Sequence, residues 1–190
     1  EKMIAEKPKS KLGIAHTRWA THGEPSEANA HPHKSKDSVY IVHNGIIENY
    51  VELRESLIAE GYDFTSQTDS ELIAHLLDLF INKGNSMIDA MYLAKEKLDG
   101  AYAIAAIDLK NNSNLVVARN KSPLLIGLGT DEMFAASDPI AIAQLTNDFI
   151  FLEDGDVASI SAEEYKIYDS SKVEVTRDVT HIDISSQATS

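Results

Sequence analysis

Residues 16–23 carry the densest set of side chains in this sequence that could bind a small ligand. They read HTRWATHG and include the only tryptophan of the chain. The guanidinium of Arg18 is planar, so it can bind a carboxylate through two parallel hydrogen bonds, which a lysine cannot reproduce. A structural ion pair is the alternative interpretation of Arg18, because arginine pairs are ordinary in acidic proteins. The residues alone leave both interpretations open.

Four of the seven histidines lie between positions 16 and 33, so a metal site has to be considered. They are His16, His22, His31 and His33. No HExxH pattern places two of them at helical spacing, and the chain contains no cysteine that could assist. We therefore expect no metal here. For His16 and His33 we expect imidazoles that hydrogen-bond backbone groups in a packed loop.

A second polar group, His43-Asn44-Gly45, follows directly after the apolar residues 39–42. Asn-Gly is typical of a two-residue hairpin turn, but the residues after Gly45 have helical periodicity, which favours the end of a strand instead. An amide donor beside a glycine N–H is the combination that an oxyanion hole requires. Glycine also allows a ligand to approach the backbone closely. The pattern predicts that Asn44 and Gly45 stabilise a developing negative charge.

A third polar group, Thr68-Asp69-Ser70-Glu71, stands at the start of a predicted helix. Thr68 and Glu71 match a capping box, in which the two side chains would bond each other's backbone N–H groups. Capping does not exclude ligand binding by Asp69, whose carboxylate could hold the ammonium of an amino acid while Arg18 holds its carboxylate. With the amide and glycine pair, these groups describe a site for an amino acid that undergoes acyl transfer.

The elements that must position these groups follow from hydrophobic periodicity. Apolar runs at 12–18 and 38–43 predict buried strands that end at the polar groups, and three amphipathic helices are predicted to end before Gly61, before Gly84 and near Leu98. Beyond Gly100 the pattern changes to short strands, at 102–108, 114–119, 124–127, 133–136, 149–152, 157–160 and 165–168. Their connections are too short for helical crossovers, so we predict an α+β fold with mainly antiparallel sheets.

Composition narrows the class of protein. The 190 residues, 43% of them hydrophobic, are enough for one globular domain or at most two small ones. A net charge of −13 has the wrong sign for binding nucleic acid or an anionic membrane surface. No apolar run approaches the ~20 residues of a membrane span, and we expect a cytoplasmic protein. With no cysteine, these residues supply neither a disulfide nor a thiol nucleophile.

Three stretches together resemble the glutaminase domain of the glucosamine-6-phosphate synthase family of glutamine amidotransferases: GIAHTRWATHG with NAHPH, VHNGIIEN, and TDSELIAHLL. The similarity continues in the same order through GAYAIAAID, ARNKSPLLIGLG, ASDPIAIA and FIFLEDGD. The tryptophan in HTRWATHG resembles this branch more than the phosphoribosylpyrophosphate amidotransferases. The resemblance implies an N-terminal-nucleophile hydrolase fold, in which antiparallel sheets are stacked between helical layers, and it implies no cofactor.

The resemblance also implies a role for each site residue. Arg18 and Asp69 would bind the α-carboxylate and α-amino groups of glutamine. Asn44 and Gly45 would form the oxyanion hole for the tetrahedral intermediate at the side-chain amide. The other residues that would shape or support the pocket are Trp19, Thr21, His22 and His31.

In the family the nucleophile is a cysteine at the mature N terminus. We therefore expect residues 1–182 to be a partial domain without the nucleophile segment, inactive alone, and residues 183–190 to be a polar tail or the start of a linker. For the full-length enzyme the resemblance implies a homodimer, a sugar-isomerase domain that binds fructose 6-phosphate and receives the ammonia, and glucosamine 6-phosphate as product. A non-catalytic amino-acid-binding module is the alternative.

Overall fold

The helices lie where the sequence predicts them. The computed structural model describes residues 11–17, 24–36, 38–110 and 114–183. Its three α-helices are α1 (Tyr50–Ala59), α2 (Glu71–Asn82) and α3 (Met87–Lys95), and a 3₁₀ helix spans Pro139–Ile142. The strands are β1 (His33–Ser35), β2 (Val39–Ile47), β3 (Gly100–Asp108), β4 (Leu115–Asn120), β5 (Leu125–Leu128), β6 (Met133–Ala136), β7 (Asp148–Phe151), β8 (Val157–Ile160), β9 (Tyr165–Tyr168), β10 (Glu174–Val175) and β11 (Val179–His181).

The strands form two antiparallel sheets. One has seven strands in the order β1-β2-β3-β4-β8-β9-β10, and the other has four in the order β11-β7-β5-β6. Successive strands are joined by turns or short loops, except where the three α-helices intervene between β2 and β3 and the 3₁₀ helix between β6 and β7. The predicted α+β class with antiparallel sheets is confirmed.

Two apolar cores lie on opposite faces of the seven-stranded sheet. Side chains alternate along each strand, so Ile104 and Ala106 of β3 pack towards the helices, while Ala103 packs towards the four-stranded sheet. We call the first one the helix-side core; α2 packs into it, and Leu72, Ile73 and Leu77 of this helix are almost fully buried. We call the second one the inter-sheet core, and Ile126 of β5 and Ile150 of β7 belong to it.

The outer face of the four-stranded sheet is covered by the 3₁₀ helix and the turn after it. A Cβ at Gly127 of β5 would lie 2.5 Å from Cδ1 of Ile142 and 3.0 Å from Cγ2 of Thr146. The absence of a side chain at Gly127 therefore lets this segment lie directly on the sheet.

Strand β2 continues beyond the end that the sequence predicts. It pairs with β3 in an unbroken register from Val39 opposite Asp108 to Ile47 opposite Gly100. The prediction that Asn44 and Gly45 stand at a strand end is thus wrong, because two glycines allow the strands to stay paired. Gly45 has φ +133° and Gly100 has φ +131°, values that other residues rarely adopt. The prediction that no hairpin forms at Asn44-Gly45 is confirmed, since α1 follows at Tyr50.

Residues 12–17 do not form the predicted strand. They run without regular secondary structure, and Arg18 lies outside the described residues. Their apolar side chains Leu12 and Ile14 pack against the inter-sheet core. The apolar residues that suggested a strand are therefore placed by side-chain packing against this core. No helix within the described part of the chain has the length and apolarity needed to cross a membrane.

Candidate active site

Asn44 lies on the face of β2 that is turned towards the second sheet. It stands opposite Ala103 of β3, a residue of the inter-sheet core. Its Oδ1 is 2.5 Å from Nε2 of His16, which belongs to the irregular segment 12–17. The expectation that His16 bonds a backbone group is wrong, because its ring is directed at this side chain. Gly45, the next residue, is exposed.

Two further imidazoles, those of His31 and His33, lie beside His16 and β2. His31 stacks on His16 with the ring centres 4.3 Å apart and the planes inclined by 27°. Its Nδ1 accepts the backbone N–H of His43 at 3.3 Å. His33 meets the edge of His31 at 4.7 Å, and its Nε2 lies 3.0 Å from the hydroxyl of Thr68. His31, which the resemblance places in the pocket, therefore lies beside the segment that contacts Asn44.

Asp69 lies at the far end of β2, three residues beyond Asn44. Its Oδ2 accepts the backbone N–H of Ile47 at 2.8 Å, and Oδ1 is 3.5 Å from the hydroxyl of Ser70. At a rise of about 3.3 Å per residue, Ile47 is about 10 Å along the strand from Asn44. Asp69 is only 5% exposed. Asn44, Gly45 and the Asp69 contact at Ile47 thus all lie in the C-terminal half of β2, although Asp69 comes from a different part of the sequence.

The buried imidazole of His43 lies on β2 directly before Asn44. Its Nδ1 is hydrogen-bonded to the hydroxyl of Ser70 at 2.9 Å. Burial lowers the pKa of His43 to about 4; the Asp69 carboxylate opposes this shift, whereas His16 and His33 add to it. His43 is therefore neutral at physiological pH, and it contributes packing and hydrogen bonding rather than charge.

The loop before Asp69 is held by Glu71, in a way that the sequence does not predict. Its carboxylate accepts the backbone N–H groups of Thr65 at 2.8 Å and Ser66 at 2.7 Å, together with both of their hydroxyls. Burial alone would raise the pKa of Glu71, but the hydrogen bonds that it accepts hold the pKa well below its usual range.

The predicted capping box is therefore wrong. The N-cap of α2 is Ser70 and makes no side-chain capping bond. Thr68 bonds Ser66 and His33 instead. The carboxylate of Glu71 is occupied by the preceding loop, so the matching spacing of Thr68 and Glu71 was coincidental.

Asn29 is a buried residue that sequence reasoning missed. Its amide nitrogen donates to the backbone carbonyl of Glu24 at 2.9 Å, and its amide oxygen accepts the backbone N–H of Gln67 at 2.8 Å. It thereby ties residues 24–30 to the loop that precedes Asp69. The only sign of this role in the sequence is that Asn29 stands close to the HPH stretch. Local spacing does not reveal that its partner, Gln67, lies 38 residues away.

The remaining predicted site residues cannot be placed. Arg18, Trp19, Thr21 and His22 lie outside the described residues. Within the described ranges, no group of three or more histidine, aspartate or glutamate side chains converges in a way that could hold a metal ion. The arrangement that is visible consists of an oriented amide, an adjacent exposed glycine and a buried carboxylate, which suit a small ligand with both an amide and a cationic group.

Comparison with known sequences gives a family for this arrangement. The family model described as a glutamine amidotransferase domain matches residues 16–144. The glutamine–fructose-6-phosphate aminotransferase (isomerizing) of Idiomarina loihiensis is 51% identical over 177 residues, which are 93% of this chain and 29% of that protein. A protein of the same name from Haemophilus influenzae is 48% identical over 189 residues, which are 99% of this chain and 31% of that protein. The chain spans less than a third of the length of these relatives.

Solved structures confirm the predicted class of fold. The glutamine phosphoribosylpyrophosphate amidotransferase of B. subtilis, in complex with ADP and GMP, has a TM-score of 0.67 at 25% identity and covers 82% of this chain and 34% of that one. A structure described as the allosteric regulatory enzyme of purine biosynthesis has a TM-score of 0.69 at 27% identity, with the same coverage. The likeness supports the N-terminal-nucleophile hydrolase fold.

Proposed function

This chain belongs to the family of glutamine amidotransferase domains, and we propose that it binds glutamine as the source of ammonia for an amidotransferase. The observation that carries the proposal is that Asn44 and Gly45 lie in the C-terminal half of β2, where Asp69 also accepts the backbone N–H of Ile47. The three groups match the two ends of glutamine, which carries an ammonium at one end and an amide at the other.

The α-amino group of glutamine is assigned to Asp69. Oδ2 of this carboxylate accepts one backbone N–H, and a carboxylate has about four acceptor sites, so further sites remain for an ammonium. Its counterpart for the α-carboxylate is Arg18, proposed from the sequence. Trp19, Thr21, His22 and His31 are proposed to shape or support the pocket around the ligand.

The reacting amide of glutamine is assigned to Asn44 and Gly45. When a nucleophile attacks the amide carbon, negative charge develops on the amide oxygen. The side-chain N–H of Asn44 and the backbone N–H of Gly45 are the donors proposed to stabilise that charge. The attacking group must come from outside these 190 residues if it is a cysteine, because the chain contains none. We accordingly expect no glutamine hydrolysis by these residues alone.

For the full-length protein we propose the synthesis of glucosamine 6-phosphate from fructose 6-phosphate and glutamine. Support comes from the names of the relatives at 48–51% identity, and from their length, of which this chain accounts for 29–31%. The remaining length is proposed to include a sugar-isomerase domain, and the enzyme is proposed to be a homodimer. A non-catalytic module that binds an amino acid is the alternative.

Substitution of Asn44 and Arg18 in the full-length enzyme tests the assignment. Asn44→Ala should lower kcat for glutamine hydrolysis by about 10²–10³ with little change in KM, because the donor acts in the transition state. Arg18→Ala should instead raise KM for glutamine. Asn114→Ala is a suitable control, since Asn114 bonds Ser159 and takes no part in the proposed site.

Each outcome bears on a separate part of the proposal. Full turnover in Asn44→Ala would overturn the oxyanion assignment, and an unchanged KM in Arg18→Ala would overturn the carboxylate assignment. A wild-type protein that binds glutamine but never hydrolyses it, even when the gene product is intact, would favour the non-catalytic module.

A further inference from the structure

The amide of Asn44 is held by a residue that the proposed function does not use. His16 precedes Asn44 by 28 residues, yet its Nε2 is 2.5 Å from the Asn44 Oδ1. An amide side chain accepts hydrogen bonds at its oxygen and donates at its nitrogen. The group that bonds one end of the amide therefore decides which end faces the rest of the pocket.

The position of the His16 proton determines that orientation. A proton on Nε2 makes His16 a donor to the amide oxygen, which leaves the Asn44 nitrogen and its two N–H groups for the ligand. A proton on Nδ1 would make Nε2 an acceptor, so the amide would turn its oxygen, a repulsive group, towards the oxyanion.

The surroundings of His16 favour the first arrangement. Nδ1 of His16 is buried and has no hydrogen-bond partner among the described residues. A buried N–H without a partner is disfavoured more strongly than a buried acceptor without one. The proton is thus more stable on Nε2, where Asn44 accepts it.

The ring of His16 is also held in place relative to β2. It stacks on His31 at 4.3 Å, and His31 accepts the backbone N–H of His43 through Nδ1 at 3.3 Å. His43 is the residue directly before Asn44. Strand β2 therefore carries the Asn44 amide and, through the His43 N–H, also holds the His31 ring on which His16 stacks. The position of His16 relative to Asn44 is thus fixed by this one strand.

We propose that His16 is a positioning residue that donates Nε2–H to Oδ1 of Asn44 and so presents the Asn44 N–H groups to the oxyanion. This inference rests on the proposed function, because it assigns a task to His16 in the same site. His16 acts through Asn44 and need not contact glutamine.

Kinetics of three variants of the full-length enzyme test the proposal. His16→Leu removes the donor and should lower kcat for glutamine hydrolysis by about 10- to 100-fold with little change in KM, since a misplaced oxyanion donor loses part of its effect. His16→Gln places an amide N–H near the position of Nε2 and should recover most of that loss. His181→Gln, which removes an exposed imidazole bonded to Asp148 in the four-stranded sheet, is the control and should keep the wild-type kcat.

A separate measurement does not depend on activity. Long-range ¹H–¹⁵N spectra of the imidazoles in the wild-type protein should show His16 as the Nε2–H tautomer, and a His16 proton on Nδ1 would overturn the proposal. So would a His16→Gln variant that is no more active than His16→Leu, or a His16→Leu variant that raises KM but keeps kcat. If His16→Leu does not fold, the proposal is tested by the tautomer of His16 and by the kcat of His16→Gln relative to the wild type. A wild-type enzyme that does not hydrolyse glutamine would instead refute the proposed function.

Discussion

His43 is the residue whose charge the fold controls most clearly. Its pKa is lowered from the ordinary 6.5 to about 4, mainly by burial. The unfolded chain binds a proton at this residue near pH 6.5, so between pH 6.5 and 4 the unfolded state takes up more protons than the folded one. The stability that neutral His43 confers is therefore complete above pH 6.5 and is lost as the pH falls to about 4. It amounts to up to about 3 kcal/mol.

Unfolding by urea at a series of pH values measures this contribution. The free energy of unfolding of the wild type should fall from pH 7 to pH 4 more steeply than that of His43→Asn, which keeps a donor near Ser70 but does not titrate. Acidic groups that titrate in both proteins, such as Glu71, cancel in the comparison. Parallel pH curves for the two proteins would show that His43 is not the residue responsible.

Residue types and short motifs were enough to propose Asn44, Gly45 and Asp69 as site residues, which stays a prediction. They were not enough to find the contacts that orient these residues. The bond between His16 and Asn44 spans 28 positions, and the one between Asp69 and the Ile47 N–H spans 22. No local periodicity reports such distances. The expectation for His16 failed for this reason, since its partner comes from another part of the chain.

At the scale of elements, the pairing of β2 with β3 positions the site. The two strands stay in register across both Gly45 and Gly100, where their backbones approach closely. A Cβ at Gly45 would lie 2.0 Å from the carbonyl oxygen of Ala101, and one at Gly100 would lie 2.2 Å from that of Ile46. Each glycine therefore makes room for the partner strand's backbone.

Gly45→Ala should consequently separate or distort the two strands. The clash with Ala101 and the φ of +133° together predict a loss of about 2–3 kcal/mol in the free energy of unfolding. Gly13→Ala is the matched control: a Cβ there has no neighbour within 4 Å, and its effect should stay within about 0.5 kcal/mol. Equal urea midpoints for the two variants would contradict the close approach of the β2 and β3 backbones at Gly45.

Most elements were predictable, because helices of nine to twelve residues and strands in apolar runs carry a clear periodicity. Three strands were missed. They are β1, β10 and β11, which have two or three residues each and largely polar sequences, so their identity depends on the strand beside them. Residues 12–17 are the opposite case: the sequence predicts a strand there, but they have no regular secondary structure, and Leu12 and Ile14 pack against the inter-sheet core.

At the scale of the whole molecule, the two cores locate the site. The helix-side core surrounds α2 and fixes the start of that helix, where Asp69 lies, whereas the inter-sheet core receives the segment that carries His16. Asn44 stands between these two regions on β2. The class of fold could be predicted from the order of helices and strands in the sequence. That the two cores meet on either side of β2 could be seen only in the three-dimensional structure.

Binding of L-glutamine by the chain itself tests the central claim most directly. Titration of the ¹⁵N-labelled protein with L-glutamine should produce saturable shifts at the Gly45 backbone amide and the Asn44 side-chain amide, and none in β6 at the edge of the other sheet. D-glutamine is the control, because it cannot satisfy Asp69, Arg18 and Asn44 together. A folded protein whose Asn44 and Gly45 signals stay unchanged as L-glutamine is added would contradict the account.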